Sequence, residues 1–211
     1  MAYTLYYSPG TASMAVHWML IELGVPFDLV RVDFAADGQR DPAYLQLNPA
    51  GRVPTLIVDG QPYSESAALL MILAERHPEA GLAPAPGAPE RAAWLETMIF
   101  LANGVLPPFR DWFYADKDGE PADAEAVRGL ARRRIEDAWT RIDAALSGGR
   151  AYLRGARPGA ADFLAFMLMR WSRNMPRPAS EWPAIAAYLS RMIALPSYRE
   201  ISRREELTPW P

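Results

Sequence analysis

Between Asn48 and Ser66 the chain reads Asn-Pro-Ala-Gly-Arg-Val-Pro-Thr-Leu-Ile-Val-Asp-Gly-Gln-Pro-Tyr-Ser-Glu-Ser, and this block carries groups suited to holding a small peptide-like acid. Pro54 follows the β-branched Val53 just ahead of a strand. A cis bond there would turn the Val53 N–H and C=O outward, where an extended ligand could pair with them as an added strand. Glu65 and Ser66 stand at a helix start, where unpaired N–H groups and the positive dipole end favour a carboxylate. The Ser66 hydroxyl adds a hydrogen bond, and the Glu65 carboxylate can pair with an ammonium. Together these groups would grip an α-amino acid head. Each also has a plainer reading: a trans turn proline, an N-cap serine, an acid that complements the dipole. Their occurrence in one block favours the ligand.

Strand and helix signals supply the supports. Thr55 to Val58 is a short aliphatic run, Asp59-Gly60 is a two-residue hairpin signal, and Gln61 to Tyr63 returns. The spacing of Leu69, Leu70, Ile72 and Leu73 predicts the helix that follows. Upstream, Tyr3 to Tyr7 reads as a strand, Ser8-Pro9-Gly10 as a turn, Thr11 to Leu23 as a helix stopped by Gly24, and Phe27 to Phe34 as a second strand. Asp41-Pro42 caps a short helix to about Leu47. The order β-α-β-α-β-β-α is that of a thioredoxin-like α/β domain, expected over residues 1–78.

Residues 79–89 read as a linker, because Gly81, Pro84, Pro86, Gly87 and Pro89 interrupt any regular element. Residues 90–211 carry helical patterns only, which predicts an all-α C-terminal domain. Arg91 to Val105 is helical until Pro107-Pro108 break or kink it, and a polar loop spans about Asp116 to Ala122. A long helix then places Val127, Leu130, Ile135, Ala138, Trp139, Ile142 and Leu146 on one stripe before Gly148-Gly149. Asp162 can cap the next helix by reaching back to the Gly159 N–H, and Phe163 to Trp171 is apolar nearly all round. The helix containing Ile185, Tyr188, Leu189, Met192 and Ile193 is expected to end at Pro196.

At 211 residues and 50% hydrophobic content the chain can bury a substantial core. With no cysteine, a disulfide framework and a CxxC redox pair are excluded, and His17 and His77 alone make no histidine-rich metal site. A net charge of −3 argues against general nucleic-acid binding, since the Arg132 to Arg134 and Arg203-Arg204 runs sit among acids. No signal peptide and no membrane-length apolar run is evident, so a cytoplasmic location is expected.

The Asn-Pro-x-Gly-x-Val-Pro turn and the Glu-Ser pair resemble the glutathione-binding segment of the cytosolic glutathione transferases, and the likeness runs from Tyr7-Ser8-Pro9-Gly10 to Gly159-Ala160-Ala161-Asp162. The chain is most similar to bacterial members of a serine- or threonine-type, or of a beta-like type without the cysteine. The resemblance implies glutathione as co-substrate, no metal, a homodimer, and addition of the thiolate to a small electrophile. It places glutathione on Arg40, Arg52, Val53, Pro54, Glu65 and Ser66, with an arginine, Arg52 ahead of Arg40, facing the glycine carboxylate.

Sulfur activation would fall to Thr11 or Ser13, with Tyr6, Tyr7 and Ser8 as alternatives. A hydroxyl donor at a helix N-terminus favours a thiolate; lowering a thiol pKa by about two units takes roughly 2.7 kcal/mol. Thr11 stands where serine-type relatives carry their hydroxyl, and Ala12 where the beta class carries its cysteine. Plain N-capping by either hydroxyl is the alternative. Phe109, Trp112, Phe113 and Trp171, with Tyr114 and Trp210 as further candidates, could wall an apolar co-substrate pocket. Ser13 and His17, one helical turn apart, also admit a hydrolytic dyad, though no Gly-x-Ser-x-Gly elbow accompanies them. Peroxide or disulfide reduction, isomerisation of a diketo acid, and non-catalytic binding are the rival functions.

Overall fold

The computed structural model describes residues 3–211, so the first two residues of the expected N-terminal domain lie outside it. The chain divides into two compact units, one running up to Ala85 and including Ile193–Pro209, the other Pro86–Met192 with Trp210–Pro211.

The first unit is the thioredoxin-like domain. Its strands β1 (Tyr3–Tyr7), β2 (Phe27–Arg31), β3 (Thr55–Val58) and β4 (Gln61–Ser64) form one sheet in the order β2-β1-β3-β4. β1 pairs with β2 in parallel, Leu5 opposite Leu29, and with β3 antiparallel, Leu5 opposite Leu56. The parallel pair requires a crossover, and helix α1 (Met14–Leu23) supplies it. α1 buries Met14, Val16, Trp18, Met19 and Leu20, and α3 (Ser66–Arg76) buries Leu69, Leu70 and Leu73. The β3–β4 turn follows the hairpin signal: Asp59 (φ 51°) and Gly60 (φ 82°) both lie in the left-handed region that a two-residue turn matching strand twist demands. The short helix α2 (Pro42–Leu47) starts where Asp41 accepts the Ala43 N–H at 2.8 Å.

Two boundaries differ from those expected. Residues 11–13 form a turn, and α1 begins only at Met14. β2 ends at Arg31; Val32 still donates to Tyr7 O at 2.8 Å, after which the Asp33 carboxylate draws the Ala35 N–H into a turn.

The second unit contains α4 (Arg91–Ile99), α5 (Leu106–Asp118), α6 (Ala124–Ser147), α7 (Ala160–Trp171) and α8 (Pro183–Ile193). α7 is the core, with every residue from Ala160 to Arg170 buried. Pro107 and Pro108 do not break the chain. A π-helical segment, Phe100–Val105, joins α4 to α5, and the prolines fall in the first turn of α5, where a missing N–H costs no helix bond. The departure from helical geometry comes later, at Tyr114 (φ −121°, ψ 16°). α5 also continues to Asp118, into the expected loop, with Asp116 and Asp118 paired to Arg128 and Arg110. On α6 the expected stripe is buried at Ile135, Ala138, Trp139, Ile142 and Leu146, but Leu130 is exposed.

Pro196 starts a helix instead of ending one. α9 (Pro196–Arg204) belongs to the first unit, so the expected domain of residues 90–211 is divided. Its Ser197 hydroxyl accepts the Trp18 indole N–H at 2.9 Å, and Tyr198 packs on the Trp18 ring.

Candidate functional site

The turn from Asn48 to Thr55 is held from within. Asn48 is buried; its Nδ2 donates to Arg52 O at 2.8 Å and to Thr55 Oγ1 at 3.0 Å, and its Oδ1 accepts the Ala50 N–H at 3.1 Å. The Tyr44 hydroxyl donates to Arg52 O at 2.6 Å and lies 2.9 Å from Thr55 Oγ1. Burial of Tyr44 raises its pKa, which keeps this hydroxyl a donor. Gly51 (φ 59°) admits the close approach of Gln39, because a Cβ there would stand 2.9 Å from Gln39 O and 3.5 Å from Arg40 Nη1. Arg40 is thereby laid against the turn that carries Arg52.

The Val53–Pro54 peptide bond is cis, as the strand-edge proline led us to expect. Among the described residues no acceptor or donor pairs with the Val53 N–H or C=O. Arg40 and Arg52 are exposed, and neither guanidinium pairs with an acid in the described chain. The Val53 backbone edge is thus open, on a turn that carries Arg52 and has Arg40 laid against it.

Glu65 has φ 70° and ψ 106°, a conformation that non-glycine residues adopt only when their surroundings enforce it, and its exposed side chain caps no helix N–H. The first N–H groups of α3, on Ser66, Ala67 and Ala68, have no protein acceptor among the described residues, so the dipole end is open. The Ser66 hydroxyl donates to Ala12 O at 2.8 Å. That bond fastens the start of α3 to the β1–α1 turn, bringing Glu65 and Ser66 together with Thr11 and Ser13.

In the β1–α1 turn Thr11 Oγ1 donates to Ser8 O at 2.7 Å and stands 3.0 Å from Ser13 Oγ. Ser13 Oγ accepts the Ser8 N–H at 3.2 Å and approaches the same carbonyl at 3.0 Å. Thr11 is half-buried, whereas Ser13 has no exposure at all. The hydrolytic dyad does not form. His17 Nδ1 lies 2.8 Å from Glu205 Oε1, and no side-chain bond joins it to Ser13. Glu205 Oε2 accepts the Gly10 N–H at 2.8 Å, so one buried carboxylate ties the tail after α9 to both sides of the Thr11 turn. Sequence reasoning missed Glu205 altogether.

Within the helical unit Phe109, Phe113 and Trp171 gather, with ring centroids 5.7 to 6.3 Å apart. Phe109 is fully buried and Phe113 is 44% exposed, so only part of the cluster faces outward. Trp112 has no ring contact with these three among the described residues. Trp210 packs on Phe166 instead.

Residues 11–76 match the glutathione S-transferase N-terminal domain and residues 113–196 the glutathione S-transferase C-terminal domain. A glutathione S-transferase of Xanthomonas campestris pv. campestris is 34% identical over 194 residues, covering 90% of this chain and 92% of its own length. A maleylacetoacetate isomerase of Pseudomonas aeruginosa is 32% identical over 208 residues, 94% of this chain and 93% of its own. Among solved structures, a Sulfitobacter glutathione transferase homologue with bound glutathione superposes with a TM-score of 0.88 at 27% identity, covering 98% of this chain and 99% of its own. With both domains matched and the likeness spanning nearly the whole length, the chain belongs to the glutathione S-transferase family, enzymes that take glutathione as co-substrate.

Proposed function

We propose that this enzyme binds glutathione along Val53, stabilises its thiolate with the Thr11 hydroxyl, and transfers the sulfur to a small, hydrophobic electrophile. The observation that carries this reading is the unpaired backbone edge of Val53, set beside the uncapped start of α3 and the free Glu65 carboxylate. The tripeptide's cysteinyl backbone pairs with Val53 as an added strand. Its γ-glutamyl carboxylate meets the N–H groups of Ser66 and Ala67, and its ammonium pairs with Glu65. Arg52 and Arg40 take the glycine carboxylate. Ser66 serves by joining the two loops through Ala12 O.

Thr11 is the thiolate donor because it is reachable, and Ser13 positions it. Each hydroxyl has one proton, and both lie within bonding distance of Ser8 O. When Thr11 turns to the sulfur, Ser13 keeps that carbonyl satisfied. The thiolate then forms the C–S bond as the leaving group departs or the acceptor double bond takes up a proton from solvent. Cytoplasmic location, a homodimer and a role in detoxification accompany this reading; no helix among the described residues is long and apolar enough to cross a membrane.

The test is calorimetric titration with glutathione, together with turnover of a chloronitrobenzene and ultraviolet titration of the bound thiol. Thr11→Ala should lower kcat by about 10-fold or more and raise the bound thiol pKa by about one unit, at little change in affinity. Unchanged turnover and thiol pKa would remove Thr11 from the chemistry. A second reading, isomerisation of a small diketo acid, is favoured by the near full-length likeness to a maleylacetoacetate isomerase, and it needs the same thiolate. Turnover of a diketo acid but not of the chloronitrobenzene would select it.

A further inference from the structure

The helical unit contains a pocket of about 460 Å³ that the glutathione chemistry does not use. It lies between the start of α4, at Glu90 and Ala93, and the loop leading out of α6, at Gly149 to Ala151 and Arg154 to Ala156. The volume suits a small organic molecule and is far larger than a water or a simple ion needs.

Its loop is built, not merely exposed. The Leu153 N–H donates to the buried Asp162 carboxylate at 2.9 Å, and Arg191 Nε donates to Ala151 O at 2.9 Å. Arg154 is fixed at its inner nitrogen, where Nε donates to Thr97 Oγ1 at 2.5 Å. Among the described residues neither Arg150 nor the terminal nitrogens of Arg154 pair with an acid. The nearby Glu96 is engaged by Arg141 at 3.0 Å. Partial burial first, and then the Arg150 charge, lower the Arg154 pKa. The exposed Arg150 and the partly buried Arg154 thus put two like charges on one lining, with one carboxylate, Glu90, on it and Glu96 offsetting part of the repulsion. An anion would relieve that repulsion and meet forked donors. Ala93, Ala151 and Ala156 leave the remaining wall apolar.

We propose that this pocket binds a small organic anion, its carboxylate or phosphate head held by Arg150 and Arg154 and its apolar body resting on Ala93, Ala151 and Ala156. Phenyl phosphate is a suitable probe, titrated calorimetrically into the full-length protein and soaked into its crystals. It should bind saturably, at least 10-fold tighter than phenol or inorganic phosphate, with its phosphate against the two arginines. Arg150→Ala should weaken binding at least 10-fold. This variant removes a side chain that bonds to no other among the described residues, so folding does not confound it. Arg154→Ala should weaken binding at least as much, and Glu90→Gln should tighten it a few-fold. Arg203→Ala should leave the phenyl phosphate affinity unchanged. Absence of saturable binding, equal affinity for phenol or inorganic phosphate, indifference to Arg150→Ala, or a soaked phosphate lodged elsewhere would each overturn the assignment.

Discussion

Two helix starts in this molecule meet the same physical problem in opposite ways. Every α-helix begins with N–H groups that lack intrahelical acceptors. At α7 the acid of the first turn is spent on the protein: Asp162, buried, accepts the N–H of Gly159, just before the helix, through Oδ2 and that of Leu153, in the preceding loop, through Oδ1, both at 2.9 Å. At α3 the acid beside the first-turn N–H groups has no partner among the described residues. Glu65 occupies the capping position without capping anything, in a conformation that costs about 1–3 kcal/mol for a residue with a Cβ. The first arrangement lowers the energy of the folded chain by itself, and the second does so only when an anion arrives. A helix start whose acid is exposed and unpaired is organised for binding; one whose acid is buried against N–H groups of the cap and a neighbouring loop is organised for folding.

The sharpest way to break that contrast is at α7. Asp162→Ala orphans two N–H groups and removes the clasp on the loop after α6, so it should cost about 2–5 kcal/mol of stability in urea unfolding. Glutathione affinity of the folded fraction should stay within about 2-fold. A large loss of affinity with little loss of stability would assign Asp162 to binding and dissolve the distinction.

The same carboxylate gives a pH signature. Burial raises its pKa to about 6, against the lowering effect of the two N–H donors. A folded-state value above the unfolded one means that the native state binds this proton more tightly. The contribution to stability is therefore fully present below about pH 4 and is lost as the pH rises through about 6. A shift of about two units corresponds to roughly 3 kcal/mol across that window. Asp162→Asn should flatten the stability-versus-pH curve there by a comparable amount, read as the difference between the two proteins. Parallel curves would show that the carboxylate does not titrate in this range.

How much of this was legible in the sequence depended on how local the determinant is. The hairpin was, because Asp59-Gly60 encodes its turn in two residues, and so was the Gly159 to Asp162 cap, whose groups are three positions apart. Asn48 belonged to a recognisable turn motif, but the Tyr44 hydroxyl that shares its acceptor gave no sign. The pairing of His17 with Glu205 spans 188 positions, and nothing around either residue announces the other. Prolines misled because their local meaning is double: Pro107, Pro108 and Pro196 could end a helix or begin one, and here each stands in a first turn. The turn from Asn48 to Thr55 was recoverable because its bonds join groups a few positions apart. The anion pocket of the second unit was not, since Arg150 and Arg154 meet Glu90 and Ala93 only through tertiary packing.

At α3 the expected effects are smaller in stability and larger in binding. Glu65→Gln keeps the side chain's size and the strained backbone but removes the charge proposed to pair with the ligand ammonium. Glutathione affinity should fall about 10-fold, or roughly 1.4 kcal/mol, with stability unchanged to within about 0.5 kcal/mol. A loss of stability instead of affinity would mean that Glu65 supports the fold as Asp162 does.

Glu65→Gly separates backbone from side chain at the same position. Glycine populates positive φ without the Cβ penalty, which releases the local strain, but it has more unfolded-state entropy to lose. The net expectation is a gain of up to about 1 kcal/mol in unfolding free energy, alongside the same affinity loss as Glu65→Gln. A substitution that makes the protein more stable while weakening glutathione binding is the outcome peculiar to a helix start held open for a ligand. At α7 no substitution of Asp162 by a residue lacking a hydrogen-bond acceptor can do this, because that carboxylate answers donors inside the protein. If Glu65→Gly destabilises the chain by about 1 kcal/mol or more, the conformation at Glu65 is sustained by interactions its own side chain makes in the unliganded fold.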